Sequence, residues 1–330
     1  MISVPPIDFA QACGPDRAGR HRQFELLDTA LSTVGYVRLD AHGITPSAIA
    51  ALLDVTHRFF DQPDAMKSAV AQPSPEQVRG WSGVGSEGIA YSLDEESHGD
   101  LKEKMDIGPI DGPVLGEAGA AEMAFPNLWP QHPAGFRELW EDHYRQMQRV
   151  CAGLLALTAE GFGLARDHFV GMFDREMSML RALHYPPQLE TPFPYQYRAG
   201  THTDYGAFTI VCAESTTGGL QVFDRDGEWL DVSTAPTSLV VLVGDLLAEW
   251  TGNRWSATVH RTANPPLSVG FGGTRLAFAY YQHPNFDTAV QELPPLRGPV
   301  TGPRQELIAG RHLMEKYVRQ TTFGRSAARD

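Results

Sequence analysis

The chain has 330 residues and a formal net charge of −13. Apolar residues at 42% suffice for a sizeable core, and charged residues at 20% are too few for a disordered chain. The negative balance speaks against a nucleic-acid partner, whose affinity rests on Lys and Arg, and against a basic membrane-binding face. Cys13, Cys151 and Cys212 lie far apart with no CxxC pair, a pattern of reduced thiols that places the protein in the cytoplasm. No leader-like apolar run opens the sequence, and no run approaches the roughly 18 residues of a membrane span. A monomer is expected.

In chain order, VPPIDF (4–9) reads as a short strand or extended arm, residues 19–34 as a helix, and VGYVRLDAHGI (34–44) as a β-rich run ending in a turn. Residues 46–68 are helical again. Residues 72–104 mix Pro, Gly, Ser and charges. The run DEESHGDLKEK (94–104) reads as a solvated, mobile surface, with a lid over a pocket as the alternative. Gly112 to Pro130 is irregular. Residues 133–163 carry apolar side chains at spacings of 3 and 4, which predicts a core helix closed by Gly161 and Gly163. Seven β-prone runs follow: MSMLRALHY, FTIVCAE, GLQVFD, EWLDVS, SLVVLVG, SATVHRT and RLAFAYYQ. Short strands spaced by turns indicate a sandwich or jelly roll. A helix near 304–320 closes the chain.

The stretch HTDYGAFTIV (202–211) places His202 and Asp204 two apart ahead of an apolar run. Side chains alternate on a strand, so both project from one side. Alone the pair says little. His260 ends the run SATVHRT, and Arg275 opens RLAFAYYQ. Two histidines and one carboxylate are the ligand set suited to non-haem Fe(II) with open coordination positions. An arginine nearby supplies the forked donor that holds a carboxylate.

With these residues in place, the chain resembles the iron(II)- and 2-oxoglutarate-dependent oxygenases of the isopenicillin N synthase-like family. VPPIDF, VGYVRLDAHGI and FFDQPDAMK resemble that family's N-terminal region. RGWSGVGSEG, DLKEKMDIG and FPNLWP resemble its middle, and LRALHYPP, HTDYGAFTIV, GGLQV, GDLLAEWTGNRWSATVHR and RLAFAYYQHPNFD its catalytic core. The resemblance implies a mixed α/β fold: a distorted double-stranded β-helix (jelly roll) with N-terminal helices packed around it. Residues 1–330 would form one oxygenase unit, with an N-terminal region over 1–120 and the catalytic core over 176–290. It implies Fe(II) on His202, Asp204 and His260, 2-oxoglutarate held by Arg275 and Tyr185, and O2 as co-reactant. A small-molecule substrate would be hydroxylated, desaturated or cyclised, with succinate and CO2 released. Family habit points to an amino acid or specialised metabolite.

Two departures stand out. The family's usual Arg-x-Ser is here Arg275-Leu276-Ala277, so one hydroxyl donor to the cosubstrate is missing, and the family's Asn two residues before the tyrosine is Leu183. The bacterial ethylene-forming enzyme also resembles Arg-x-Ala at this place. Second, the stretch TANPPLSVGFGGT (262–274) is longer than usual and reads as a surface insertion or a loop touching substrate. Arg181, Glu87 and Tyr205 are candidates for substrate contact, through positions that resemble the ethylene-forming enzyme or adjoin Asp204. Phe278 and Tyr280 belong to the opposite, core face, and His283 lies past the strand end. Three alternatives stay open: a 2-oxoglutarate-free oxidase, an ethylene-forming type, and a non-catalytic binding module on the same fold.

Overall fold

The structure, a computed structural model, describes residues 5–74, 77–90, 98–111, 125–214, 219–234, 237–266, 273–297 and 306–327. β1 (Ile7–Asp8) runs into α1 (Phe9–Cys13), where the Asp8 carboxylate accepts the Gln11 N–H as a cap. α2 (Arg17–Thr33) starts on Asp16, which accepts from Ala18 and Gly19. β2 (Tyr36–Asp40) precedes α3 (Pro46–Phe60), which has Thr45 as its cap and proline in its first turn. α4 (Asp64–Lys67), β3 (Gly80–Ser82) and β4 (Glu103–Ile107) follow. α5 (Phe136–Gly161) is the expected core helix.

The seven β-prone runs all form strands: β5 (Met179–Tyr185), β7 (Phe208–Ala213), β8 (Leu220–Phe223), β9 (Trp229–Asp231), β10 (Leu239–Val243), β11 (His260–Thr262) and β12 (Arg275–Tyr281). β6 (Ala199–His202) and α6 (Asp245–Trp250) lie between them. β13 (Ala289–Val290), β14 (Leu307–Ile308) and α7 (Ala309–Ala327) end the chain.

Eight strands form one sheet in the order β1-β2-β10-β7-β12-β5-β4-β3, and four form a second in the order β6-β11-β8-β9. The N-terminal strands thus flank the core strands in the larger sheet. Period-two alternation assigns the faces. On β12, Leu276, Phe278 and Tyr280 join the main apolar core. Phe278 meets Trp140 of α5 edge-on, ring centroids 5.6 Å apart, and Tyr280 meets Tyr144 at 5.1 Å. Arg275, Ala277, Ala279 and Tyr281 face the other way, into the cleft between the two sheets.

The charge run overturns one expectation. Residues 94–97 lie outside the described residues, but DLKEK is no solvated surface: Asp100, Lys102, Glu103 and Lys104 are all buried. Glu103 opens β4, which pairs with β5 from Glu103↔His184 to Ile107↔Leu180. A buried charge needs a partner, and this strand has one for each face. Glu103 accepts hydrogen bonds from Lys67 Nζ and Trp81 Nε1, both at 2.7 Å, and lies 2.8 Å from His184 Nδ1. Lys104 and Asp106 turn to the opposite face, 3.1 Å apart.

Candidate metal centre and its cleft

β6 ends at His202, and its last residue pairs directly with His260 at the start of β11. Register therefore sets the two imidazoles side by side, ring centroids 4.1 Å apart. The alternation rule expects Asp204 on the same strand as His202, and the structure corrects this. Asp204 sits in the turn after β6, where its carbonyl accepts the Asp245 N–H at the start of α6. The turn closes only because Gly206 and Gly244 lack side chains. A Cβ on Gly206 would fall 2.2 Å from the Gln282 carbonyl oxygen, and one on Gly244 would fall 2.4 Å from that of Gly206.

The three side chains converge. His202 Nε2 lies 3.6 Å from Asp204 Oδ1, and His260 Nε2 lies 3.6 Å from Asp204 Oδ2. His202 Nδ1 is 2.8 Å from the Gly200 carbonyl and His260 Nδ1 is 2.9 Å from that of Thr258. Those contacts assign the proton to Nδ1 in each ring and leave both Nε2 lone pairs facing the carboxylate. Burial, reinforced by the neighbouring His260, holds His202 well below its usual pKa, in the neutral form a metal needs. Burial raises Asp204 above the ordinary carboxylate value. Asp204 Oδ2 is buried without a hydrogen-bond partner. An orphaned carboxylate oxygen between two imidazole nitrogens fits a divalent cation, and all candidate ligand atoms lie within 4.8 Å of one another.

The centre opens on the cleft between the sheets. That cleft holds about 490 Å³ free of protein atoms, its open mouth included, of which about 40 Å³ admits the centre of a water molecule. A space of that size suits small molecules packed against its walls. Arg275 and Tyr185 are direct cross-strand partners on β12 and β5. The Arg275 guanidinium carbon stands 5.2 Å from the Tyr185 ring centroid, and its Nε is buried without a hydrogen-bond partner. Burial depresses its pKa. The Tyr185 hydroxyl lies 3.2 Å from Thr262 Oγ1. Ala277, which stands where a serine was expected, is buried in the same wall.

Of the three substrate candidates, Arg181 lines the cleft and Glu87 and Tyr205 do not. Arg181 forms a bidentate pair with Asp106, at 2.6 and 3.1 Å. Glu87 sits behind it, with Oε2 3.7 Å from Arg181 Nη1, and accepts a hydrogen bond from Lys104. Burial would raise Glu87, but Lys104, Arg181 and Lys102 outweigh it and hold the carboxyl below its ordinary value. Tyr205 turns away: its ring meets Tyr317 of α7 edge-on at 5.9 Å, with Lys316 Nζ 5.4 Å from its centroid. His283 is buried apart from the triad, near Ser178. Residues 267–272 of the long connection lie outside the described residues.

Sequence reasoning missed Lys102 and Thr262, which both line the cleft. Thr262 carried a signal, because two residues after His260 on one strand is the same face. Lys102 was hidden in a run that reads as solvated.

Residues 4–132 match the family model described as the N-terminal region of non-haem dioxygenases in morphine synthesis, and residues 176–284 match the 2OG-Fe(II) oxygenase superfamily. The chain is 32% identical to proline hydroxylase buaE of Petromyces alliaceus, over 88% of this chain and 91% of that one. This chain belongs to the iron(II)- and 2-oxoglutarate-dependent oxygenases. Homoarginine-6-hydroxylase 2-ODD-233 of Oryza sativa subsp. japonica is 28% identical over 89% of this chain and 88% of the relative. A Neurospora crassa protein, solved at full length in complex with alpha-KG and thymine, superposes with a TM-score of 0.83 at 27% identity, covering 96% of each chain. The protein is thus a dioxygenase with a jelly-roll fold that uses Fe(II) and 2-oxoglutarate on a small molecule. Among the described residues, no helix is long and apolar enough to cross a membrane.

Proposed function

We propose that His202, Asp204 and His260 hold the iron, and that Arg275 and Tyr185, joined by Thr262, hold the far carboxylate of 2-oxoglutarate. The orphaned Asp204 Oδ2 between two Nε2 atoms carries the first assignment. The partnerless Arg275 Nε supports the second. When bound, iron and 2-oxoglutarate supply the oxidising chemistry, consuming O2 and releasing succinate and CO2. The protein's own residues position and shield. The Gly200 and Thr258 carbonyls fix both rings and keep Nε2 free of a proton. Ile89, Leu183, Val211 and Leu220 line the cleft and limit water. Thr262 Oγ1 stands in for the hydroxyl that Ala277 lacks. Arg181 meets substrate, while Glu87 acts through Arg181 by fixing its position.

The substrate in this reading is an amino acid or related specialised metabolite, in keeping with the proline and homoarginine named for two relatives. Its C–H bond is hydroxylated, desaturated or closed into a ring. The chain works as one oxygenase unit over residues 1–330, as a cytoplasmic monomer without nucleic-acid or membrane partners.

Anaerobic addition of iron(II) and 2-oxoglutarate should give a visible metal-to-ligand charge-transfer band that His202→Ala and Asp204→Ala abolish. A wild-type protein that binds iron but shows no band would overturn the assignment.

A further inference from the structure

Two charged side chains line the cleft without belonging to the iron trio or the Arg275 end: Lys102 and Arg181. Both are buried, at 4% exposure each. The carboxylates that neutralise them stand behind the wall. Lys102 donates to Asp100, and Asp100 is itself fixed by the Gly200 N–H at 3.0 Å and the Ile89 N–H at 3.3 Å. Arg181 is clamped by Asp106. Lys104 ties Glu87 to Asp106. None of Asp100, Asp106 or Glu87 lines the cleft, and among the described residues its one carboxylate is Asp204, at the metal centre.

Among the described residues, this wall therefore shows a ligand its cations only. Donors remain on both. Arg181 gives Nε and one terminal nitrogen to Asp106, while Nη1 stands 3.7 Å from Glu87, beyond hydrogen-bond distance. The Lys102 ammonium has three N–H groups, and beyond Asp100 its next carboxylate is Glu87 at 3.9 Å. Arg181 is four residues from Tyr185 on β5, so their Cα atoms are about 13 Å apart. Lys102 precedes Glu103, the partner of His184, yet its Nζ at 3.9 Å and Arg181 Nη1 at 3.7 Å both stand next to Glu87 Oε2, so the two head groups converge. With Arg275 and Tyr185 assigned to the cosubstrate in the reading above, the Lys102–Arg181 pair is left for another anion.

We infer that Lys102 and Arg181 form the docking site for a carboxylate on the primary substrate, which makes this an oxygenase of small carboxylic acids. The inference rests on the reading above, in which Arg275 serves 2-oxoglutarate. Lys102 and Arg181 hold their charge in fixed positions, so the acid binds without reorganising the wall, and its carbon chain lies against Ile89, Ala199 and Leu220.

The test is calorimetric titration under nitrogen of the protein loaded with iron(II) and 2-oxoglutarate. The probes are proline, homoarginine, cyclopentanecarboxylate and 5-phenylpentanoate, each beside its primary amide. At least one acid should bind at least about tenfold more tightly than its amide, the loss expected when one charge-assisted hydrogen bond goes. In the double variant Lys102→Met/Asp100→Asn, which removes the charge pair together, that acid should fall to the level of its amide. The charge-transfer titration of 2-oxoglutarate should be unchanged. The inference is overturned if amides match acids, if no acid binds below about 10 mM, or if the double variant weakens 2-oxoglutarate instead. If the double variant does not fold, equal binding of acid and amide by the wild-type protein still overturns the inference. A missing charge-transfer band would count against the cosubstrate assignment, not against the wall.

Discussion

The cleft carries two cationic stations that differ in what stands behind them. At one end Arg275 is buried with Nε partnerless, its charge met by the Tyr185 ring and the field of Glu214. Glu214 is already occupied by His57 and the Leu276 N–H. Elsewhere in the cleft, Arg181 of β5 and Lys102, just ahead of β4, are backed by Asp106, Asp100 and Glu87. Burial works against the Arg181 charge, but Asp106 and Glu87 outweigh it, whereas burial dominates at Arg275. A desolvated cation without a carboxylate is costly until an anion arrives, so its binding energy is reserved for ligand. A cation already paired is part of the fold and contributes mainly direction. In the proposed reading, one end serves affinity and the other position.

Breaking the compensated wall should give the largest effect. Asp106→Ala leaves Arg181 buried without its bidentate partner and should cost about 3–5 kcal/mol of stability in a denaturant titration. Affinity for 2-oxoglutarate should change little in whatever fraction stays folded. Arg275→Met should do the reverse. It removes a forked donor from a carboxylate, about 3 kcal/mol or roughly 100-fold in 2-oxoglutarate dissociation constant, with stability unchanged or raised. Equal losses of stability in the two variants would erase the distinction.

Thr262→Val sharpens the picture of the Arg275 end, with an expected loss of about 1 kcal/mol, or several-fold, in 2-oxoglutarate affinity. Ala277→Ser should then help the Thr262→Val protein more than the wild type, a coupling that a double-mutant cycle reads directly. The smallest effect concerns acid. Glu87 has a pKa below its ordinary 4.5, so it binds fewer protons folded than unfolded. Its stabilising contribution is present above 4.5 and is lost as pH falls below that value. Glu87→Gln should flatten the acid limb of the stability profile below pH 4.5, whereas Arg275→Met should leave that limb as it is.

Most of the strands and the candidate metal trio were legible in the sequence. Period-two alternation placed Phe278 and Tyr280 in the core and Arg275 on the other face. His202, Asp204 and His260 could be picked out because their residue types suit Fe(II) and the surrounding motifs resemble the family's catalytic core. The charge run defeats local reasoning for a physical reason. Alternating charges look solvated when each is considered alone, yet here they neutralise one another across paired strands, as Asp106 does with Arg181 75 residues later. The direction of Tyr205 depends on α7, more than 100 residues away in the chain.

The sequence by itself determined what local rules govern: which runs are strands, which face of each strand is apolar, and which residue types can hold Fe(II). Only the tertiary structure decided which charges face the cleft and which stand behind it. The same applies to the Thr262 hydroxyl, which meets Tyr185 across two sheets, and to Asp204, which reaches the metal centre from a turn. Those outcomes depend on contacts between segments far apart in the chain. Such contacts exist only once the sheets close over one another, when burial forces each polar group to find a partner or to wait for a ligand.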